Sequence, residues 1–159
     1  MHDTTGTHES VDQEELREAI ELLFFAYRDF TAGPDAVLAE YGFGRAHHRV
    51  IYFVNRHPGI AVGELLCILQ ITKQSLAPVL KTLVQKEFIR QETGERDKRK
   101  RELFLTEKGA ALERELSVIQ KDRLQKAFAE AGAEAVAGFR AVMRRITDER
   151  ERFDQPLRP

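Results

Sequence analysis

The feature that most constrains the fold is a change of hydrophobic period in the middle of the chain. Up to about residue 87, apolar residues recur at the spacing of amphipathic helices. Residues 89–92 and 101–105 then have the composition of two strands, and a polar stretch that contains Gly94 connects them. Beyond residue 106 the helical spacing returns. The sequence therefore predicts helices, then a β-hairpin, and then helices again.

Two short helices precede the predicted hairpin. Residues 62–69 form the first, and Thr72 begins the second, which runs to about residue 87. The Thr72 hydroxyl can accept a hydrogen bond from a free amide of the first turn. Since only Gln70 and Ile71 separate the two helices, the pattern is typical of a helix-turn-helix. A hairpin directly after the second helix is typical of the wing of a winged helix.

Longer helices flank this central region. Residues 12–30 carry one apolar stripe, and we expect residues 31–34 to end that helix because Pro34 cannot continue one. A helix over residues 45–56 follows. Thr106 caps a long helix, and Gly132 marks the turn into a last helix. The apolar side of the last helix consists of Val136, Phe139, Met143, Ile146 and Phe153. The predicted fold class is mainly α with a small β-hairpin.

Composition supports a globular chain and excludes several classes of protein. Hydrophobic residues make up 42% and charged residues 32% of the chain, which is enough apolar material for a core. No apolar run reaches the roughly 18–20 residues of a membrane span, and the N-terminus lacks the apolar core of a signal peptide. We therefore expect a cytoplasmic protein without a membrane partner. The single cysteine, Cys67, excludes an internal disulfide framework and a cysteine-rich zinc site.

Charge is distributed unevenly along the chain. Residues 1–41 hold 2 basic and 10 acidic side chains, whereas residues 42–101 hold 12 basic and 5 acidic ones. Residues 102–159 are balanced. A strongly basic middle segment in a chain of net charge −1 favours a nucleic acid as the partner of that segment.

The first and last helices are too apolar to stay exposed. A second copy of the same helices would cover them, so we expect a symmetric homodimer, with an intramolecular bundle as the alternative. Residues 1–11 are expected to be a disordered tail and residues 12–159 a single domain. Within it, residues 12–42 and 107–154 form the helical dimerisation lobe, and residues 43–106 form the winged helix-turn-helix lobe.

The order of these elements resembles the MarR family of winged-helix transcriptional regulators. The most specific match is Asp97-Lys98-Arg99, the D-x-R signature of the wing, followed by the strand exit at residues 103–109. Residues 71–76 give a supporting match at the start of the second short helix. The resemblance implies that Arg99 enters the DNA minor groove, that Asp97 orients it by a salt bridge, and that the protein is a repressor that a ligand relieves.

One face of the helix that begins at Thr72 is predicted to contact DNA. On a helical wheel, Leu76, Val79, Leu80 and Leu83 group on the core side, and a polar face lies opposite. Amide and hydroxyl groups can bond base edges and alanine can touch a thymine methyl, whereas lysines suit phosphates. The predicted contacts from this helix are Lys73, Gln74, Ser75, Ala77, Lys81 and Gln85.

Three residues of this lobe depart from the family pattern. Pro78, at the centre of the predicted DNA face, removes the backbone bond to the Gln74 carbonyl, at about 3 kcal/mol in a regular helix interior. We therefore expect a kink and weaker direct readout. Ala61 lacks a capping oxygen for the first short helix, and Glu87 stands where a helix-ending glycine is common.

The predicted wing concentrates positive charge. Its cations repel one another without helping the fold, and an anionic partner would relieve that repulsion. A guanidinium suits a narrow A·T-rich minor groove, where the potential is most negative. The predicted DNA-contacting residues of the hairpin are Arg96, Asp97, Lys98, Arg99, Lys100 and Arg101, with a phosphate contact from Arg90 on the first strand.

The resemblance also implies an effector site between the two lobes, for a small aromatic or anionic ligand. By position, its candidate residues are Phe24, Tyr27, Tyr41, Phe43, His47, His48 and Tyr52. His47 is expected to be a core histidine with a satisfied hydrogen bond, and adjacent residues on a helix rarely chelate one ion, so we expect no metal. A packed, inert Cys67 is favoured over a thiol sensor.

Two functions from different classes remain open, and a third is disfavoured. The first is a homodimeric regulator that binds a palindromic double-stranded DNA sequence specifically. The second is a dimeric helical interaction or adaptor module that does not bind DNA specifically. We expect neither an enzyme nor a cofactor, since no nucleophile elbow, phosphate loop or metal-ligand spacing occurs in the sequence.

Overall fold

The computed structural model describes residues 11–147. Six helices occur in this range: α1 Gln13–Glu40, α2 Arg45–Arg56, α3 Val62–Leu69, α4 Lys73–Gln85, α5 Glu107–Ala131 and α6 Ala133–Ile146. Three strands occur with them: β1 Ile60–Ala61, β2 Ile89–Thr93 and β3 Arg101–Leu105. The expected N-terminal tail up to residue 10, and Phe153 of the expected last helix, lie outside the described residues. No helix in the described range is both long and apolar enough to cross a bilayer.

The predicted fold class is confirmed, with one strand more than expected. The hairpin of β2 and β3 lies where the sequence predicts it, with Arg90 opposite Phe104 and Thr93 opposite Arg101. β1 adds a third antiparallel strand, and the strand order is β1-β3-β2. Two residues are too few to show the alternation that identifies a strand in a sequence, so β1 was missed.

The core lies in the central lobe and receives contributions from both flanking helices. Leu38 from α1 and Leu116 from α5 are fully buried with it. The other residues of this core are Phe43, Val50, Ile51, Val54, Ile60, Leu65, Leu76, Leu80, Leu83, Phe88, Ile89, Leu103 and Leu112. The C-terminal part of α1 and the N-terminal part of α5 therefore anchor the flanking helices to the central lobe.

The prediction that α1 ends at residues 31–34 is wrong. The helix continues through Pro34, and the Thr31 hydroxyl donates to the Tyr27 carbonyl at 2.8 Å. Pro34 is fully buried, and a Cβ added to Gly33 would lie 2.7 Å from Cγ2 of Ile119 on α5. Close packing of α1 on α5 therefore outweighs the backbone hydrogen bond that proline removes.

A compact joint fixes the end of α4 to the start of α5. The Thr106 hydroxyl donates to the Glu87 carbonyl at 2.6 Å, and the Lys108 ammonium donates to the Lys86 carbonyl at 3.0 Å. A Cβ added to Gly109 would overlap the Phe88 carbonyl, so only glycine allows this approach. We call residues 86–88 and 106–109 the α4–α5 joint.

Candidate nucleic-acid interface

Local sequence orients α4 so that its polar face points to solvent. The Thr72 hydroxyl accepts from the Ser75 amide at 3.1 Å, which confirms the predicted cap. Leu76, Leu80 and Leu83 are buried, as the wheel predicted. Every residue that the sequence assigned to the DNA face of this helix is therefore exposed, namely Lys73, Gln74, Ser75, Ala77, Lys81 and Gln85.

The proline at the centre of this face does not break the helix. α4 is one helix from Lys73 to Gln85, and Pro78 is exposed within it. The Thr82 hydroxyl donates to the Pro78 carbonyl at 3.0 Å. The expected kink stays a prediction, whereas the exposed position of Pro78 among the DNA-facing residues agrees with the sequence analysis.

The carboxylate of Glu64 provides one half of a capping box at the start of α3. Ala61 has no side-chain oxygen, as the sequence indicated, and Oε2 of Glu64 accepts from the Ala61 amide at 3.0 Å. At the other end of α3, Gln70 adopts a left-handed conformation with φ 53°. The turn between α3 and α4 is thereby short and fixed.

Main-chain hydrogen bonds close the tip of the wing. The Gly94 amide donates to the Lys100 carbonyl at 2.8 Å, and the Lys100 amide donates to the Asp97 carbonyl at 3.0 Å. Oδ1 of Asp97 accepts from the main-chain amide of Arg99 at 3.0 Å. The loop is therefore shaped by its own backbone, with the cationic side chains directed outward.

The salt bridge that the family resemblance implies between Asp97 and Arg99 is not formed in this structure. Among the ion pairs of the described residues, none joins these two side chains. The acceptor of Asp97 is used by the backbone of the turn, because an aspartate two residues before an amide is well placed for this bond. Asp97 therefore orients Arg99 through the main chain.

The cations of the wing tip are solvent-exposed, as predicted. Arg101 also makes a side-chain hydrogen bond: its Nη1 donates to Oε1 of Gln91 across the hairpin at 3.1 Å. The exposed cationic residues of the wing tip are Arg96, Lys98, Arg99, Lys100 and Arg101.

A cleft lies between the wing and α4. It has a volume of about 630 Å³. Its lining includes Glu64, Lys73, Gln91, Arg99, Lys100 and Arg101. Four cations and one carboxylate line this cleft, and the carboxylate of Glu64 already accepts from a main-chain amide. The cleft is therefore suited to an anion.

Two polar residues of this cleft, Gln91 and Glu64, were not predicted from the sequence. Gln91 alternates with Arg90 along β2 and so faces α4, a placement that the strand pattern could have indicated. Glu64 lies on α3, where its carboxylate accepts from the Ala61 amide. Nothing in the sequence indicated that it also lines the cleft.

Arg90 points to the other face of the sheet. Its guanidinium pairs with Glu92 and lies 4.4 Å from the ring centroid of Phe104. Neighbouring residues of a strand face opposite sides, so Gln91 faces the cleft and Arg90 does not. This placement disfavours the phosphate contact that the sequence analysis assigned to Arg90.

The structure brings together only three of the seven candidate effector residues. Phe43 stacks on Tyr41 at 5.9 Å and on His47 at 4.8 Å between ring centroids. The phenol of Tyr27 instead accepts from Arg49 at 3.0 Å. Phe24 is 70% exposed. The others are Tyr52, which contacts Phe53, and His48, which is half-buried.

The two histidines of α2 differ in their surroundings. Nδ1 of His47 accepts from the Gly44 amide at 3.1 Å, which confirms the expected hydrogen bond, although the ring is only half-buried. Burial, and then Lys86, lowers the pKa of His47. Burial also lowers the pKa of His48, against an opposite effect of Asp35 and Glu113.

The described residues contain no metal-ligand cluster, and Cys67 is not packed. Within residues 11–147, no three side chains of histidine, cysteine, aspartate or glutamate are grouped so that they could hold an ion. Cys67 is exposed on α3, so the expectation of a packed cysteine is wrong. A helix of eight residues buries only one narrow stripe, and here Leu65 is its buried residue.

Comparisons with known proteins agree with this geometry. The sequence profile of the MarR family matches residues 41–100. The HTH-type transcriptional regulator PetP of Rhodobacter capsulatus is 53% identical over 135 residues, which cover 85% of this chain and 81% of that protein.

Solved structures show the same fold. A mutant of MarR from E. coli, complexed with operator DNA, has a TM-score of 0.65 at 20% identity, covering 86% of this chain and 99% of that one. A MarR transcriptional regulator from Methanosarcina mazei Go1 has a TM-score of 0.63 at 24% identity, covering 82% of this chain and 94% of that one.

Proposed function

Because the chain belongs to the MarR family of transcriptional regulators, we propose that it acts as a homodimer that binds a palindromic double-stranded DNA operator. The chain is a transcriptional regulator, and its relatives are regulators rather than enzymes, in agreement with the sequence analysis. The operator, the dimer and the effector belong to the proposal.

The observation that carries the proposal is the continuity of the exposed face of α4 with the cationic wing. The cleft between them is lined by Lys73 from the first turn of α4 and by Arg99 from the wing tip. A helix in the major groove and a hairpin beside it need cations on their shared border, because that border meets the DNA backbone. The cleft is therefore a site for a backbone phosphate.

Roles within this surface follow from side-chain chemistry. Gln74 and Gln85 can hydrogen-bond adenine edges, and Ala77 can contact a thymine methyl. Lys73 and Lys81 fix the position of the helix on phosphates. The hydroxyl of Ser75 accepts from Thr72 at 3.0 Å and keeps its own proton for a base or a phosphate.

The proposed homodimer is supported by apolar surface that the protomer leaves exposed at both ends. Leu16, Ile20 and Leu23 on α1 are exposed by 43 to 53%, and Phe139 and Ile146 on α6 by 47 and 56%. A patch of this kind marks an interface. Two-fold symmetry would present two copies of α4 to two half-sites about one helical turn apart.

We also propose that a small effector molecule regulates DNA binding. Its support is the stacked group of Tyr41, Phe43 and His47, where α1 meets α2, between the flanking helices and the central lobe. An aromatic ligand suits such rings. In this proposal the protein is a cytoplasmic repressor that releases DNA when the ligand binds.

The test is duplex binding, measured by fluorescence anisotropy after selection of bound sequences from a random pool. Arg99→Ala and Lys81→Ala should each weaken binding and reduce the slope of log affinity against log salt by about 2, because the homodimer loses two cationic contacts with each substitution. Arg90→Ala is the matched control, since this arginine is held on the other face of the wing. Its affinity should stay close to that of the unmodified chain.

The same experiment distinguishes the alternative function. If no duplex is enriched in dilute buffer while the chain remains a dimer, the protein is an interaction module and the DNA-binding proposal is wrong. If Arg90→Ala weakens binding as much as Arg99→Ala does, the assigned face of the wing is wrong.

A further inference from the structure

The middle of the exposed face of α4 is apolar. Residues 76–80 all have apolar side chains, and the exposed ones among them are Ala77 and Pro78. At about 3.6 residues per turn, Gln74 lies one turn before this pair and Lys81 one turn after it, on the same face. We call Ala77 and Pro78 the apolar centre of α4. It lies at the middle of the face that is proposed to enter the major groove.

The apolar centre offers a base no hydrogen-bonding partner. Pro78 has no N–H and no polar side-chain atom. Its carbonyl already accepts from the Thr82 hydroxyl at 3.0 Å. The side chain of Ala77 is a single methyl group. A base edge that meets this surface therefore contacts carbon and hydrogen only.

The four bases differ in how well they tolerate such a surface. In the major groove, thymine presents a 5-methyl group, whereas adenine, guanine and cytosine present polar groups without a methyl. A polar group that leaves water without gaining a partner lowers affinity by roughly tenfold or more. The apolar centre therefore favours thymine by contact with its methyl group and disfavours the other three bases by desolvation.

The length of this part of α4 restricts the apolar contact to the middle of the site. Gln74 and Lys81 are seven residues apart, or about 10 Å along the helix axis, which corresponds to about three base pairs of 3.4 Å for a helix that lies along the groove. The polar side chains of these two residues occupy the ends of this length. The apolar centre is thereby left with the base pair between them.

We propose that the apolar centre of α4 selects thymine, through its 5-methyl group, at one position of each operator half-site, and that Pro78 is the specificity-determining residue at that position. The inference rests on the proposed DNA binding and adds the chemistry that the middle of the helix recognises. Contact with a methyl group replaces the hydrogen bond that a polar side chain would make at Pro78. A 5-methylcytosine carries the same methyl group and is therefore accepted more readily than cytosine.

The first test changes the DNA and uses the full chain with the duplex selected from the random pool. Each thymine is replaced in turn, in both half-sites together, by deoxyuridine, which removes the methyl group alone. At one position the affinity in fluorescence anisotropy should fall by about tenfold or more, since a buried methyl contributes about fourfold in each half-site. Replacing thymines outside α4's contacts is the control and should leave affinity nearly unchanged.

Cytosine and 5-methylcytosine extend this test at the sensitive position. Cytosine should bind more weakly than thymine, because its amino group meets no acceptor. Methylation of that cytosine at C5 should recover about fourfold in each half-site. Equal binding of the two cytosine duplexes would contradict the proposed contact with a methyl group.

The second test changes the protein. Pro78→Gln places an amide at the apolar centre, so this variant should bind the thymine and deoxyuridine duplexes about equally and should select adenine more often at the sensitive position. Lys81→Gln is the matched control, since it should weaken binding to both duplexes alike and keep the preference for thymine. Circular dichroism checks the helix content of both variants.

The outcomes separate this inference from the proposed function. If no duplex is enriched, the proposed DNA binding is wrong, and this inference is wrong with it. If a duplex is bound but no thymine is sensitive to loss of its methyl group, the inference is overturned and the DNA binding stands. The inference is also overturned if Pro78→Gln prefers thymine over deoxyuridine as strongly as the unmodified chain does.

Discussion

Two residues without glycine's freedom adopt left-handed backbone conformations at the borders of the helix-turn-helix. Gln70, with φ 53°, joins α3 to α4, and Glu87, with φ 62°, follows α4. A residue with a Cβ loses roughly 1–2 kcal/mol in this region. Glu87 is part of the α4–α5 joint and is held there, since its carbonyl accepts from the Thr106 hydroxyl. Glu87 stands where a helix-ending glycine is common, and the left-handed φ explains why glycine would suit this position.

The strain at Glu87 leads to a prediction about stability. Glu87→Gly should raise the free energy of unfolding by about 0.5–1 kcal/mol, because relief of the left-handed strain exceeds the extra entropy that glycine has in the unfolded chain. Urea denaturation at pH 7 measures the change. Gln85→Gly, inside α4, is the control and should lower stability. A loss of stability in Glu87→Gly would contradict this reading of the joint.

The partners of single polar side chains were only partly predictable from the sequence. The caps at Thr72 and Thr106 were predictable, because a hydroxyl before a helical run has few other uses. The bond from Asp97 to the main chain and the pairing of Arg90 with Glu92 were not. Both depend on which of several nearby partners the side chain meets, and a sequence alone does not rank them.

Among the elements, α1 and α4 contain a proline each and use it differently. Pro34 is buried where α1 packs on α5, whereas Pro78 is exposed in the middle of α4. The sequence predicted that Pro34 ends its helix and that Pro78 kinks α4 from within. The difference lies in tertiary packing, since the Gly33 contact with Ile119 is invisible in local propensity.

This contrast between the prolines leads to a second prediction. Pro78→Ala should raise the free energy of unfolding by about 1–3 kcal/mol, because the helix regains a backbone hydrogen bond to the Gln74 carbonyl and loses no buried surface. Pro34→Ala is the matched variant, and its gain should be smaller or negative because it leaves a cavity. Thermal and urea unfolding compare the two. Equal gains would mean that the packing of Pro34 contributes nothing.

At the scale of the whole molecule, α2 links the flanking helices to the central lobe through polar contacts. Arg45 pairs with Asp35 of α1 at 3.0 Å, and Arg49 donates to the Tyr27 phenol at 3.0 Å. His48 lies within the influence of Asp35 and of Glu113, a buried residue of α5. None of these pairings could be predicted from the sequence, since each joins residues far apart in the chain.

The histidines of this region give a prediction of pH dependence. Burial lowers the pKa of His47 and of His48 below the usual 6.5, so the unfolded chain takes up protons first as the pH falls. Their contribution to stability is complete above about pH 6.5 and is lost as the pH falls toward the folded-state values. Unfolding in urea at pH 7.5, 6.5 and 5.5 should show a falling stability. His47→Gln with His48→Gln should flatten this dependence, and an unchanged slope would contradict the prediction.

The overall architecture was more predictable than the sites. Hydrophobic periodicity and two hydroxyl caps determine the helices and the hairpin of the central lobe. The candidate effector residues lie on separate elements, and only the stacking of Phe43 on Tyr41 and His47 joins three of them. A pocket depends on how α1, α2 and a partner copy lie together, and no periodic pattern encodes that arrangement.

The division of labour on α4 has a consequence for how such regulators diversify. Its buried leucines and the α4–α5 joint hold the helix in place, while Gln74, Ala77 and Gln85 take no part in that support. Copies of the gene can therefore change these exposed residues, and with them the target DNA sequence, without loss of fold stability. Replacing the exposed residues of α4 by those of another regulator is accordingly a practical way to change the preferred promoter.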